Sequence, residues 1–183
     1  MMAYMLQMLA RRDKLAVNFV LVNLGALTMV LLSRVSFSQP IPFTLQSMGV
    51  LLLAVFLGPR MAAIAILEYL ILGAAGLPVF ARGGGIAYLL GPTAGYLFSM
   101  PLAALIAGYL YNRIKSKYKS SRFIAGWFAS VVSCCIILLF GWAWLTSTYP
   151  DKDQALIIGF VQFLPIEILK SMVVAIVFIK KGE

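Results

Sequence analysis

Six apolar stretches, separated by short polar or Gly/Pro-containing connections, constrain this chain more than any other feature. They run from about Leu15 to Leu32, Leu45 to Leu57, Met61 to Leu77, Ile86 to Tyr111, Phe123 to Thr146 and Ala155 to Ile179. A helix needs about 20 residues to cross about 30 Å of hydrocarbon, with about 17 as the usual minimum. The first, fourth, fifth and sixth stretches meet that. The second is short, and only Gly58, Pro59 and Arg60 separate it from the third. These two read as short helices joined by a tight turn, or as a re-entrant pair, since irregular backbone is tolerated at membrane depth where protein buries it. Composition decides against a water-facing surface. The chain is 62% hydrophobic and 11% charged, where a soluble domain averages about 45–50% and about 25%. The expected fold class is an all-α integral membrane protein, a six-transmembrane-helix bundle forming one membrane domain over residues 1–183, with no appended soluble domain.

The basic residues orient this bundle. With the N-terminus inside, the inner segments hold Arg11, Arg12, Lys14, Arg60, Arg113, Lys115, Lys117, Lys119, Arg122, Lys180 and Lys181; the outer segments hold Arg34, Arg82 and Lys152. Eleven against three places both termini in the cytoplasm, because cytoplasmic loops are enriched in Lys and Arg. The net charge of +9 has the same source, so no nucleic acid is expected as a partner. The basic run from Asn112 to Arg122 reads as a cytoplasmic loop able to meet anionic lipid head groups. Tyr4, Tyr109, Tyr111, Tyr118, Trp127, Trp142, Trp144 and Tyr149 lie mainly towards segment ends, as interfacial belts do. Arg11 to Lys14 resembles the start of a signal peptide, but the apolar stretch is long and no A-x-A-like site follows, so it is kept as the first helix. No repeat of 20–50 residues supports the inverted design of many secondary transporters.

Several chemistries are excluded. Without histidine there is no Ser-His-Asp triad, Cys-His dyad or imidazole metal site. No GxxxxGK[ST] is present, so the chain carries no P-loop of its own. Cys134 and Cys135 are neighbours, a poor geometry for a disulfide, and read as small apolar residues of a membrane helix. No metal or cofactor is expected, and binding is favoured over catalysis. In the fourth stretch Gly91, Gly95, Ser99, Ala103 and Ala107 recur every four residues, a groove for close helix approach. It serves either packing within the bundle or the docking of a separate membrane subunit.

Two acids lie in apolar surroundings, Glu68 and Glu167. Glu167 and Lys170 are three apart on one helix face, where their side chains can meet. Ions in a bilayer usually face the bundle interior or a cavity, and Pro165 frees nearby carbonyls for other partners. The pair reads as ligand-binding, with a structural ion pair as the bland alternative. A second cluster spans Pro78 to Gly85 and Gly91 to Tyr96, where three consecutive glycines permit movement or close backbone approach and Gly-Pro-Thr can break the helix. A third, Gln39 to Gln46, forms a polar cap on the same outer face. Together they suit a small ligand with donors, acceptors and apolar carbon. Glu68 has no basic residue at i±3 or i±4. It is either a desolvated carboxyl, a partner for another subunit, or a proton-coupling acid.

The motifs Pro42-Phe-Thr-Leu-Gln-Ser-Met-Gly-Val50, Leu57-Gly-Pro-Arg60, Gly76-Leu-Pro-Val-Phe80, Leu89-Leu-Gly-Pro-Thr-Ala-Gly-Tyr-Leu97 and Pro101-Leu-Ala103 occur in an order and spacing that resembles the BioY family. These are the biotin-specific S components of energy-coupling factor (ECF) transporters. The resemblance is close from about Gln39 to Leu110 and looser in the last helix. It implies a multi-pass protein of a prokaryotic cell membrane that captures biotin from the outer side with high affinity. As partners it implies a transmembrane T component and two ABC-type ATPases, which would supply ATP hydrolysis. The family's Asp-x-x-Lys aligns with Glu167 and Lys170, the acid being one methylene longer here, with Ile166 where a glycine is common. Thr44, Gln46, Phe80, Arg82, Gly84, Thr93 and Tyr96 correspond to its loop and pocket region, with Arg82 placed to meet biotin's valerate carboxylate. The Ala-x-x-x-Ala of S-component first helices is missing, since Val20 lies four residues after Ala16. The reading is therefore a non-enzymatic biotin-binding subunit. Its alternative is a self-sufficient secondary transporter for biotin or another small vitamin.

Overall fold

Helices account for nearly all of the regular structure. The computed structural model describes the backbone of residues 2–37, 41–117 and 122–180, and side chains within 13–37, 41–116 and 122–177. The elements are α1 (Met2–Arg34), β1 (Ser36–Phe37), β2 (Phe43–Thr44), α2 (Gln46–Phe56), α3 (Pro59–Ala74), α4 (Ile86–Leu89), α5 (Ala94–Lys117), α6 (Arg122–Thr148), α7 (Lys152–Gly159), a 3-10 turn (Val161–Phe163) and α8 (Leu164–Lys180). Gln39 of the expected cap lies outside the described residues. So do the side chains of Tyr4, Arg11, Arg12, Lys117, Tyr118, Lys119, Lys180 and Lys181.

Four segments are long and apolar enough to cross a membrane: Asp13–Arg34, Ala94–Ser116, Arg122–Thr148 and Lys152–Val177. This is a multi-pass membrane protein. Helices α2 and α3 have 11 and 16 residues, or about 16 and 24 Å at 1.5 Å per residue. Gly58, at φ +83°, and Pro59 at the first helical position make the turn between them. Glycine tolerates that φ, and proline begins a helix without losing a needed N–H.

The expected stretches differ from the observed helices in three places. Helix α1 starts well before Leu15, because Met2 to Ala10 are mostly good helix formers. The fourth stretch is not continuous over 86–111. Pro92 disfavours helical backbone at Gly91, so the chain turns between Leu90 and Thr93 before α5 begins. The sixth stretch is likewise broken. Phe160 leaves the helical region at φ −129°, and Pro165, lacking an N–H, begins the new helix after the tight turn. Helix α7 starts at Lys152 because the Asp151 carboxylate caps it, accepting from the N–H groups of Asp153 (2.9 Å) and Gln154 (3.1 Å). The small antiparallel pair Ser36↔Thr44 and Phe37↔Phe43 qualifies the all-α expectation and holds Thr44 beside α2.

Helix α5 is central, packing on α6, α3 and α2; α6 also packs on α8, and α1 on α3 and α2. The small-residue ladder is used inside the bundle. A Cβ on Gly95 would come within 2.5 Å of the Phe140 carbonyl, and Ser99, Ala103 and Ala107 are buried. Helix α8 has two faces. Leu169, Val173 and Ile176 point outward, while Glu167, Lys170, Ser171 and Val174 are buried. Large apolar side chains outside and charge inside is the arrangement a lipid solvent selects.

Candidate functional site

Glu167 stands in the first turn of α8, where the helix dipole favours an anion. Its Oε1 lies 2.6 Å from Lys170 Nζ and accepts a hydrogen bond from Ser47 Oγ at 2.9 Å. Its Oε2 accepts from Cys134 Sγ at 3.2 Å. Lys170 Nζ donates in addition to the Thr44 carbonyl (2.6 Å) and to Ser47 Oγ (3.0 Å). An ammonium has three donors, and all three are committed. Glu167 and Lys170 are only 6% and 8% exposed. A buried pair is tolerable when both ions are also hydrogen-bonded, and here α2, α6 and α8 all contribute partners.

The outer cap joins this cluster through Thr44 and Gln46. Thr44 Oγ1 donates to Gln46 Oε1 (3.0 Å), and Gln46 Nε2 donates to Tyr69 OH (2.6 Å). The Gln46 amide is thus engaged at both ends. Between the cap and helices α5, α6 and α8 lies a cavity. Thr44, Gln46, Thr93, Tyr96 and Glu167 line it together with apolar surface from Leu97, Met100, Ile137, Leu138 and Phe163 and the ring of Tyr88. Tyr96 OH donates to the Gly159 carbonyl at 2.6 Å, a group freed by the break after α7. Polar groups thus converge on a mostly apolar cavity.

The remaining predicted residues have other placements. Arg82 lines an outer cavity that shares Pro42, Tyr88 and Thr93 with the first. Phe80 lines neither. It is fully buried, edge-on to Tyr69 at 5.3 Å and stacked on Tyr88 at 4.9 Å. Its ring occupies the space left by Gly73, where a Cβ would come within 2.0 Å of Phe80 Cζ. Gly84 lines neither as well. Its α-carbon packs on the Leu77 carbonyl, 1.9 Å from where a Cβ would sit. The glycine loop is tied down: Phe80 N–H donates to the Gly83 carbonyl (2.8 Å) and Gly85 N–H to that of Gly73 (2.7 Å). Ser33 Oγ donates to the Val79 carbonyl at 2.7 Å. Phe80 therefore backs Tyr88, and neither Phe80 nor Gly84 lines the cavity.

Cys134, which the sequence reads as a small apolar residue, donates to Glu167, and Ser47 and Tyr69, which carry no sequence signal beyond Ser47's place beside Gln46, bond to Glu167 and Gln46. Glu68 is half-buried in α3 and has no hydrogen-bond or ion-pair partner among the described residues. No group of three metal-ligating side chains occurs among the described residues.

The comparisons with known proteins agree with one another. The chain is 39% identical over 139 residues to the probable biotin transporter BioY of Pyrococcus horikoshii, covering 75% of this chain and 78% of that one. It is 38% identical over 143 residues to the biotin transporter BioY of Thermotoga maritima, covering 77% and 80%. With the biotin transporter BioY of Rhizobium etli it shares 34% over 164 residues, covering 86% and 84%. The crystal structure of the S-component for biotin from an ECF-type ABC transporter superposes with a TM-score of 0.79 at 21% identity, over 91% of this chain and 90% of that one. The two chains share one fold. The sequence profile of the BioY family matches residues 5–181, and the chain belongs to that family.

Proposed function

We propose that this chain is the biotin-binding membrane subunit of an ATP-driven vitamin uptake transporter and captures biotin from the outer side. The observation that carries the reading is the buried pair of Glu167 and Lys170 beside a mostly apolar cavity. Biotin's ureido ring presents two N–H donors and one carbonyl acceptor, and its bicyclic carbon skeleton is apolar. A carboxylate accepts the N–H groups. An ammonium donates to the carbonyl once it gives up one of its present partners, the Thr44 carbonyl or Ser47. Thr93 and Tyr96 line the same space, and Arg82 at the outer cavity suits the valerate carboxylate.

In this reading α2 and α3 are short spans and α7 with α8 forms one, giving six crossings with both termini cytoplasmic. A transmembrane T component and two ABC-type ATPases supply the coupling and the ATP hydrolysis. The chain itself catalyses nothing and needs no cofactor. Calorimetry of the purified chain with biotin tests the proposal. Tight stoichiometric binding is expected, weakened about ten- to a hundredfold by Glu167→Gln, the range for losing a charge-assisted hydrogen bond. Absence of binding by the wild type would overturn it. Biotin uptake into vesicles by this chain alone would replace the subunit reading with a self-sufficient transporter.

A further inference from the structure

The Glu167 carboxylate is held from two directions. Helix α2 holds Oε1 through Ser47, and α6 holds Oε2 through Cys134. Rotation about its last bond displaces both oxygens, so the contact on Oε2 adds a restraint from a second helix to those on Oε1. A third, small cavity lies between α6 and α8, lined by apolar side chains and by Cys134, Cys135, Ser171 and Glu167 itself. Glu167 and Leu138 border both this cavity and the main one. The thiol at 3.2 Å is the contact that holds Oε2. Ser171 Oγ lies 3.6 Å from the same sulfur, and its hydroxyl can donate to sulfur while the S–H is spent on Glu167.

We infer that Cys134 is a positioning residue: its S–H fixes the plane of the Glu167 carboxylate and so sets the direction in which that group accepts from a ligand. The ligand consequence rests on the binding role proposed above; the thiol–carboxylate contact does not. A buried cysteine is usually a small apolar filler, so the competing reading is packing alone, and the two separate cleanly by substitution. Valine fills the space and cannot donate. Serine donates but is smaller and more polar. Alanine does neither.

The experiment uses the full chain carrying Cys135→Ala, so that one thiol remains. Infrared spectra in the S–H stretching region are taken without ligand, with and without Glu167→Gln. The band is expected at the low frequency of a thiol bonded to a carboxylate, rising on substitution. An unmoved band would overturn the contact, whether or not biotin binds. Calorimetry with biotin then compares the Cys134 variants. Cys134→Ser is expected to stay within about threefold of the parent, with Cys134→Val and Cys134→Ala about three- to tenfold weaker, the range of one hydrogen bond from a weak donor. Binding by the valine variant that equals the parent while serine weakens it would leave a packing role only and overturn positioning. If the parent binds no biotin, the proposed function fails and the infrared result still decides the contact.

Discussion

Two carboxyls sit in apolar helices of this protein, and their surroundings could hardly differ more. Glu167 is on the inward face of α8, where an ammonium, a hydroxyl and a thiol reach it and a cavity opens beside it. Glu68 is half-buried on α3, next to the outward stripe of Ile64, Leu67 and Ile71, with no partner among the described residues. An ion at the bilayer centre costs about 2.5–3.5 kcal/mol on insertion scales, so the rarity of acids in such helices makes both conspicuous. Rarity does not separate them. Their neighbours do, because only Glu167 has an environment contributed by several helices, and that is what a binding site requires.

The largest effect expected from this contrast is on Lys170. Lys170→Ala removes the ammonium, so Glu167 keeps Ser47 and Cys134 as donors but loses its counter-charge, and the Thr44 carbonyl loses its donor. Breaking a buried pair from one side costs about 3–5 kcal/mol, so thermal unfolding in detergent should move sharply down and biotin affinity should fall beyond measurement. Replacing both members, Lys170→Met with Glu167→Leu, should restore most of the thermal stability, since well-packed apolar substitutes for a buried pair are often neutral. Binding should stay lost. A double variant as unstable as Lys170→Ala would make the pair structural and remove the distinction from Glu68.

A middle-sized effect is expected at Ser47, which both accepts from Lys170 and donates to Glu167. Ser47→Ala leaves the ion pair in contact but takes away the group that ties it to α2. Calorimetry should give a loss of about tenfold in biotin affinity, with a smaller change in thermal stability than Lys170→Ala. An unchanged affinity would mean that α2 contributes nothing to the ligand.

How much of this was readable in the residues follows from the range of each interaction. Glu167 and Lys170 are three positions apart, and helical geometry alone brings them together. The breaks at Leu90–Thr93 and Phe160–Phe163 each lie against a proline, although hydropathy ran through both. Ser47 reaches Glu167 from 120 positions away, and Cys134 from 33. No local pattern encodes such pairings, and a cysteine in an apolar run looks the same whether it fills space or donates. The glycine loop is the converse case. Gly83 to Gly85 read as a loop that either moves or lets backbone approach closely, whereas the Gly85 N–H donates to the Gly73 carbonyl, and Gly73 makes room for Phe80. That arrangement needs the ring of Phe80 and the gap at Gly73 to be seen together.

The smallest effect should be at Glu68, and it is the sharpest control on the comparison. Glu68→Gln keeps shape and removes the charge; Glu68→Leu also removes the polarity. Neither takes a hydrogen bond from any described neighbour, so biotin affinity should stay within about twofold of the wild type, where mutations away from a binding site fall. The leucine variant should also unfold at or above the wild-type temperature, because it extends the apolar stripe of Ile64, Leu67 and Ile71. A clear loss of affinity in Glu68→Gln would show that an acid without a built environment can still act on the site. Built surroundings would then no longer distinguish the acid that binds from the one that does not.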